Sequence, residues 1–373
     1  MRFVVLLILV FVACTPPVSA PSATPTAIAT AAAVSPRPAA TASLPTGDLL
    51  LFVDRVQREL VLADPSGNEV RHIRDAAVPT HPGLAIDPSG RRVAYWREAP
   101  VGFELVVWDS ASSAVRVIAS ESELMPWAAP RWTVDGGDIV TTVATAPSAA
   151  PPGAAPARGR MDVVNASGGG ARVLVTFGNE YPLVALFADR DLVASFRSGN
   201  TNMMYVVLDA KTGNARSATS AASFRFFGAA VDARMAWGLI SEFESTRPAT
   251  LRVWPVDDYA REAARVDVAG AGIPLAWPGR SEVAFSSSTP GRDEIRALDY
   301  AGGSWRTAGV VGLGGTPLGF SSDGSMVLLY QSTVSPYHLA RIRPDGTLGP
   351  VMPYQVNGRR TDPTFEFIGW LHL

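Results

Sequence analysis

The feature that most limits how this chain can fold is a unit that recurs from Gly47 to Leu373 at intervals of 43 to 52 residues. It is best formed at Pro82-Gly-Leu-Ala-Ile-Asp-Pro-Ser-Gly-Arg-Arg-Val-Ala-Tyr-Trp96, continuing through Phe103-Glu-Leu-Val-Val-Trp-Asp109 to Ala114-Val-Arg-Val-Ile118. The order is a short strand, an Asp-Pro-Ser-Gly turn, a buried strand, a loop, a third strand, a second turn at Asp109 and a fourth strand. An Asp or Asn side chain caps its own turn, and Gly supplies the positive φ that the turn needs. Four antiparallel strands joined in this way make one propeller blade.

First strands are expected near Pro82, Pro130, Pro182, Gly228, Pro274, Pro317 and Pro363, a spacing typical of blade repeats of roughly 40–50 residues. The second turn returns as Asp64-Pro-Ser-Gly67, Asn165-Ala-Ser-Gly168, Asp209-Ala-Lys-Thr-Gly213, Asp299-Tyr-Ala-Gly302 and Pro344-Asp-Gly346. The piece from Asp48 to Asp75 has three strand-like runs and no leading strand. The last residues, Thr364 to Leu373, have one strand and nothing after it. Joined, they complete a blade and leave no open sheet edge at the seam. The expected fold is therefore all-β: a seven-bladed propeller of four-stranded antiparallel blades over residues 47–373, closed by pairing the C-terminal strand with the N-terminal blade. A pair of β-sandwiches is the alternative. The Asp-Gly-type turn followed by Val-Ala-Tyr resembles the TolB-type repeat of bacterial periplasmic propellers more than the WD variety, since Trp108-Asp109 is the one Trp-Asp pair. That resemblance implies the fold and an interaction role and names no ligand.

Ahead of the repeat, Met1-Arg2 leads into the apolar run Phe3 to Ala13, which ends at Cys14, the single cysteine of the chain. Eleven apolar residues are too few to span a bilayer, which takes roughly 20, and the pattern has the features of a secretory signal. Phe11-Val12-Ala13-Cys14 resembles a bacterial lipoprotein signal, with Phe11 where that family usually carries leucine. The resemblance implies a signal peptide over residues 1–13, a lipid on Cys14 and an extracytoplasmic, membrane-anchored location at the cell envelope. An ordinary secretory signal is the alternative. Residues 14–46 are rich in Pro, Ala and Thr, hold no aromatic residue and carry Arg37 as their one charge. Such a segment buries too little apolar surface to offset its ordering entropy and is expected to act as an extended tether.

Charge and chemistry narrow the function mainly by exclusion. A net charge of −2 gives no electrostatic footprint for nucleic acid. Lys211 is the only lysine, and a GC-rich coding sequence accounts for the arginine skew without a recognition role. His72, His81, His338 and His372 are isolated, so neither a metal nor a cofactor is expected. No Gly-x-Ser-x-Gly elbow occurs. Asp257-Asp258 falls at a second-turn position, and Glu242 and Glu244 fall in a loop, where solvated acids are common.

A binding site is expected where loops gather around the channel mouth. The loops leading into first strands carry His81, Trp127, Tyr181, Arg225, Phe226, Arg359 and Arg360, an aromatic-and-arginine set of the kind found at binding hot spots. The alternative is that these side chains pack between blades. A long insertion, Thr145 to Arg160, flanks the same mouth as a flap. The expected function is a non-enzymatic, monomeric propeller, attached to the membrane through Cys14, that binds a protein, peptide or glycan. The alternative is a propeller-type hydrolase, lactonase or cyclase with its site at the channel mouth.

Overall fold

The computed structural model describes residues 46–73, 83–145, 158–177, 181–189, 192–198, 203–221, 224–229, 234–240, 249–268, 273–289, 292–311, 315–331, 336–357 and 365–373. Within the compact unit Ser43–Leu373 these form 28 strands, numbered β1–β28 in chain order, and seven four-stranded sheets. Every pairing between neighbouring strands is antiparallel, as the repeat predicts.

The run Leu49-Leu-Leu-Phe-Val53 shows why the strands are apolar on both faces. Successive side chains of a strand point to opposite faces. Leu49, Leu51 and Val53 of β1 (Asp48–Asp54) join one core cluster with Tyr95 and Trp108 of the following blade. Leu50 and Phe52 join another with Leu328 and Tyr354 of the preceding blade. The core is thus divided into slabs between blades, which is what a radial stack of sheets requires.

The innermost strand of each blade completes the ring. These are β4 (Ala85–Ile86), β8 (Met125–Trp132), β12 (Tyr181–Asp189), β16 (Phe224–Ala229), β20 (Leu275–Trp277), β24 (Thr316–Phe320) and β28 (Phe365–His372). Each touches the next in turn, and β24 touches β28, which touches β4. The first blade has the strand order β28-β1-β2-β3, so the C-terminal strand pairs with the N-terminal one, Asp48 opposite His372 and Asp54 opposite Phe365, and the other blades follow in chain order to the seventh, β24–β27. The expected seven-bladed propeller and its closure by the chain ends are both present.

Three innermost strands, β4, β20 and β28, begin just after the expected prolines, and three others begin earlier. Pro126 and Pro130 lie inside β8, Pro182 inside β12 and Pro317 inside β24. Proline has no N–H to donate, and a sheet tolerates it at an edge strand or a bulge. An innermost strand is such an edge, and the ladder slips register beside Pro126, Pro182 and Pro317. A second set of bulges lies between the third and outermost strands of six blades. A bulge strengthens the local twist, and the blades share it.

The arginines have a structural task that codon bias overlooks. Six outermost strands carry one near their start, just after the second turn: Arg71, Arg116, Arg172, Arg216, Arg265 and Arg306. Four of them reach the second turn of the next blade. Arg71 donates to the Ser113 hydroxyl, Arg116 to the Ala166 carbonyl at 2.7 Å, Arg172 to the Lys211 carbonyl at 2.6 Å and Arg306 to the Gly346 carbonyl at 2.9 Å. The pattern of a turn Gly or Ser followed within four residues by Arg is a blade-to-blade latch.

The turns themselves hold their carboxylates ionised. The Thr347 hydroxyl and amide both donate to Asp345 and keep its carboxyl below the usual range. At Asp209 the Arg216 guanidinium leads and the Thr212 and Lys211 amides add to the same effect. At Asp109 burial is the largest influence and pushes upward, but the Ser112 amide and hydroxyl, the Ala111 amide and Arg92 outweigh it. A carboxyl whose folded pKa is depressed stabilises the fold above its unfolded value of about 4, and that contribution is lost as pH falls through the lower folded value. Thermal melts should therefore fall steadily below pH about 4. Asp345→Asn should flatten part of that slope while keeping the turn, because Asn165 already caps the equivalent turn.

Candidate functional site

The innermost strands enclose a channel, and the half that the described residues surround contains a cavity of about 820 Å³. Its wall is largely apolar, with Leu84, Trp132, Trp237, Ile273, Phe320 and Trp370 among its members. It lies toward the ends of the innermost strands, beside the first turns at Pro88-Ser89-Gly90, Ser322 and His372. In a four-stranded antiparallel blade those turns occupy the face opposite the loops that enter the first strands. The cavity therefore sits at the other end of the channel from the expected aromatic ring.

One charged side chain stands out in the wall. Arg131 lies on β8 opposite Val140, the register held by Ala85, Leu275 and Gly319 in three other blades. It is exposed to the cavity, and the protein packed around its position lowers the guanidinium pKa. Asp87, the carboxylate in the wall, is already saturated. It accepts from the Arg91 and Arg92 amides at 2.8 and 2.9 Å, from the Ser89 hydroxyl at 2.7 Å and from Arg92 Nε at 3.0 Å. Arg92 in turn stacks over Trp132, whose indole N–H donates to the Ala85 carbonyl of the preceding blade at 2.9 Å.

At the seam the fold gathers a serine, a histidine and an aspartate. His372 Nδ1 lies 2.8 Å from Asp48 Oδ1, and the Ser322 hydroxyl donates to the same oxygen at 2.8 Å. A nucleophilic triad needs the serine on Nε2 and the acid on Nδ1, so that the imidazole can carry the proton between them. Here Ser322 and Asp48 meet the same nitrogen, with Ser322 Oγ 3.2 Å from Nδ1. The histidine backbone N–H also donates to the Gly90 carbonyl at 2.8 Å. The cluster is a clasp that ties the closing strand to the blades on both sides.

A buried acid cluster behaves in the same way. Arg160 bridges Glu121 of the second blade and Asp162 of its own strand, with Nε 2.8 Å from Asp162 Oδ2. Burial raises the Asp162 carboxyl, against the pull of Arg160. The amides of Glu123 and Leu124 also donate to Glu121. Asp257 and Asp258 are exposed in a turn, as expected. Among the described residues no three His, Cys, Asp or Glu side chains gather as a metal site.

Of the residues expected at the loop face, Trp127 is half-buried within β8. Tyr181 opens β12, and Arg225 and Phe226 belong to β16, so these three positions are strand residues by backbone pairing. Their side chains, and His81, Arg359, Arg360, Glu242 and Glu244, lie outside the described residues, as do residues 146–157 of the insertion. Arg131 follows Pro130, where the sequence places a first strand, and nothing beside it in the chain distinguishes it from the other arginines. The available signal was a charge in a register position that other blades fill with Ala, Leu or Gly.

No protein-family model matches this chain, and no curated relative matches it. Solved structures do. An oligogalacturonate lyase in complex with manganese aligns with a TM-score of 0.58 at 12% identity, covering 81% of this chain and 92% of that one. A functionally unknown protein from Desulfotomaculum acetoxidans aligns at 0.53 and 12% identity, covering 87% of this chain and 99% of that one. TolB from Acinetobacter baumannii aligns at 0.43 and 13% identity over 70% of this chain and 63% of that one, too loosely to carry an argument. At these identities the likeness concerns the propeller fold alone.

Proposed function

We propose that this chain is a non-enzymatic, lipid-anchored propeller at the cell envelope, held to the membrane through Cys14, whose ring binds a protein, peptide or glycan. The observation that carries the non-enzymatic part is the wiring at the seam. The one serine, histidine and aspartate gathered among the described residues share a single imidazole nitrogen and fasten the ring. Other polar groups are used in the same manner, in turn caps, inter-blade latches and the Arg160 bridge. A rigid scaffold of this sort presents loops and a pocket without needing chemistry of its own. The anchoring part is supported by the apolar run that ends at Cys14 and by the proline-rich stretch behind it.

Fractionation tests the anchor. The wild type is expected in the membrane fraction with a labelled acyl chain, and Cys14→Ser is expected to lose both the label and the membrane association. Unchanged partitioning of Cys14→Ser would refute the lipid anchor. Capture from native envelopes, with Trp127→Ala as control, tests the loop face; equal recovery by wild type and variant would refute Trp127 as a contact. Turnover of a lactone or glycoside panel by the purified ring would overturn the non-enzymatic reading.

A further inference from the structure

The chain compensates its enclosed cations with care. Arg160 meets Glu121 and Asp162, Arg296 meets Glu294, Arg306 meets Glu282, Arg252 meets Glu262 and Arg92 meets Asp87. Arg131 has no hydrogen-bond or ion-pair partner among the described residues, and among them it is the only lysine or arginine that lines the channel cavity. An arginine stays protonated, so Arg131 presents an unpaired positive charge to the cavity. The guanidinium offers a planar fork of N–H donors that matches a carboxylate in bidentate fashion.

We propose that the channel cavity is a binding site for a small organic monocarboxylate, with Arg131 holding the carboxylate and the aromatic wall holding an apolar body. The shape and lining fit a small-molecule site, since such pockets occupy roughly 300–1,000 Å³ and combine apolar walls with a few placed polar groups. The body of the ligand would face Trp132, Phe320 and Trp370. Trp237 adds further apolar surface to the same wall. A phosphate or sulfate dianion fits less well. It calls for more than one positive group, and among the described residues the wall offers a single guanidinium beside a saturated Asp87 carboxylate. The site faces the first-turn end of the channel, opposite the loop face, and the proposal rests neither on the loop-face partner nor on the lipid anchor.

The test is calorimetric titration of the full chain in detergent with N-acetylphenylalanine, hexanoate, N-acetylphenylalaninamide and inorganic phosphate. Both carboxylates are expected to bind saturably at millimolar concentration. The amide and Arg131→Gln with either carboxylate should each bind about tenfold more weakly or worse, the loss expected for a charge-assisted hydrogen bond. Arg131→Lys, which keeps the charge and loses the fork, should fall between. Arg131→Gln is expected to melt no lower than wild type, because it removes an uncompensated cation. If that variant misfolds, the acid-against-amide comparison on the wild type still decides. No saturable binding of either carboxylate overturns the proposal, as do equal binding of acid and amide, equal binding by Arg131→Gln, or phosphate binding in their place.

Discussion

Truncation before Phe365 is expected to destroy the folded ring. It removes β28, and with it the fully buried Leu371 and the nearly buried Trp370. It also leaves β1 without its innermost partner over seven residue pairs, Asp48 to Asp54. The indole of Trp370 donates to the Gly319 carbonyl of the seventh blade at 3.1 Å, and the His372 clasp holds the second blade, so two neighbouring interfaces open together. Two large apolar side chains and an unpaired strand edge together cost roughly 5 kcal/mol or more, which is comparable with the whole stability of many domains. The truncated chain should aggregate or be digested rapidly, and should show no cooperative urea transition. A truncated protein that melts within a few degrees of the full chain would contradict closure through the chain ends.

Trp277→Ala should be the most damaging single substitution at the joint between the sixth and seventh blades. The side chain is fully buried and stacks on Phe320 at 4.8 Å between ring centroids. Arg280 and Arg306 lie over the same indole at 5.4 and 5.3 Å. Its removal leaves a large cavity at the inner end of an interface whose other members are in place, so the void is slow to collapse. Loss of a buried tryptophan costs about 3–5 kcal/mol. Urea melts should show that loss with an unchanged slope, whereas Arg306→Met should lose the latch, the Glu282 pair and its contact with the Trp277 indole, a smaller effect. Equal midpoints for wild type and Trp277→Ala would remove this residue from the core.

Much of the frame was legible because turn chemistry is local. Gly67, Gly90, Gly136, Gly168, Gly213, Gly324 and Gly346 all have positive φ, each in a turn marked by its Asp, Asn, Ser or Thr. At Gly213 the constraint is double, since a Cβ there would stand 2.0 Å from the Leu174 carbonyl oxygen of the preceding blade. The turn at Asp299 differs in detail: Gly303, one residue later than expected, takes the positive φ. The innermost strands were harder to read. β4 and β20 are two and three residues long, too short for an alternation to register, and prolines inside the others resembled boundaries.

The candidate site was much less legible than the frame. The latch arginines looked like composition because their partners lie about 40 to 50 residues away, and three of the four are backbone carbonyls, which carry no sequence mark. The expected aromatic ring rested on loop residues that the backbone places in strands at Trp127, Tyr181, Arg225 and Phe226. The cavity with Arg131 arises from several blades converging on one axis.

By itself the sequence determined the blade count, the antiparallel order, the turn positions and the completion of one blade by both chain ends. Each of these depends on residues close together in the chain: a capping side chain, a glycine with positive φ, or a run of apolar residues buried on both faces. Among the described residues, the tertiary structure alone decided which charges meet a partner and left the Arg131 guanidinium without one. Pairing depends on distances between blades, and those distances exist only once the ring has closed around Arg131.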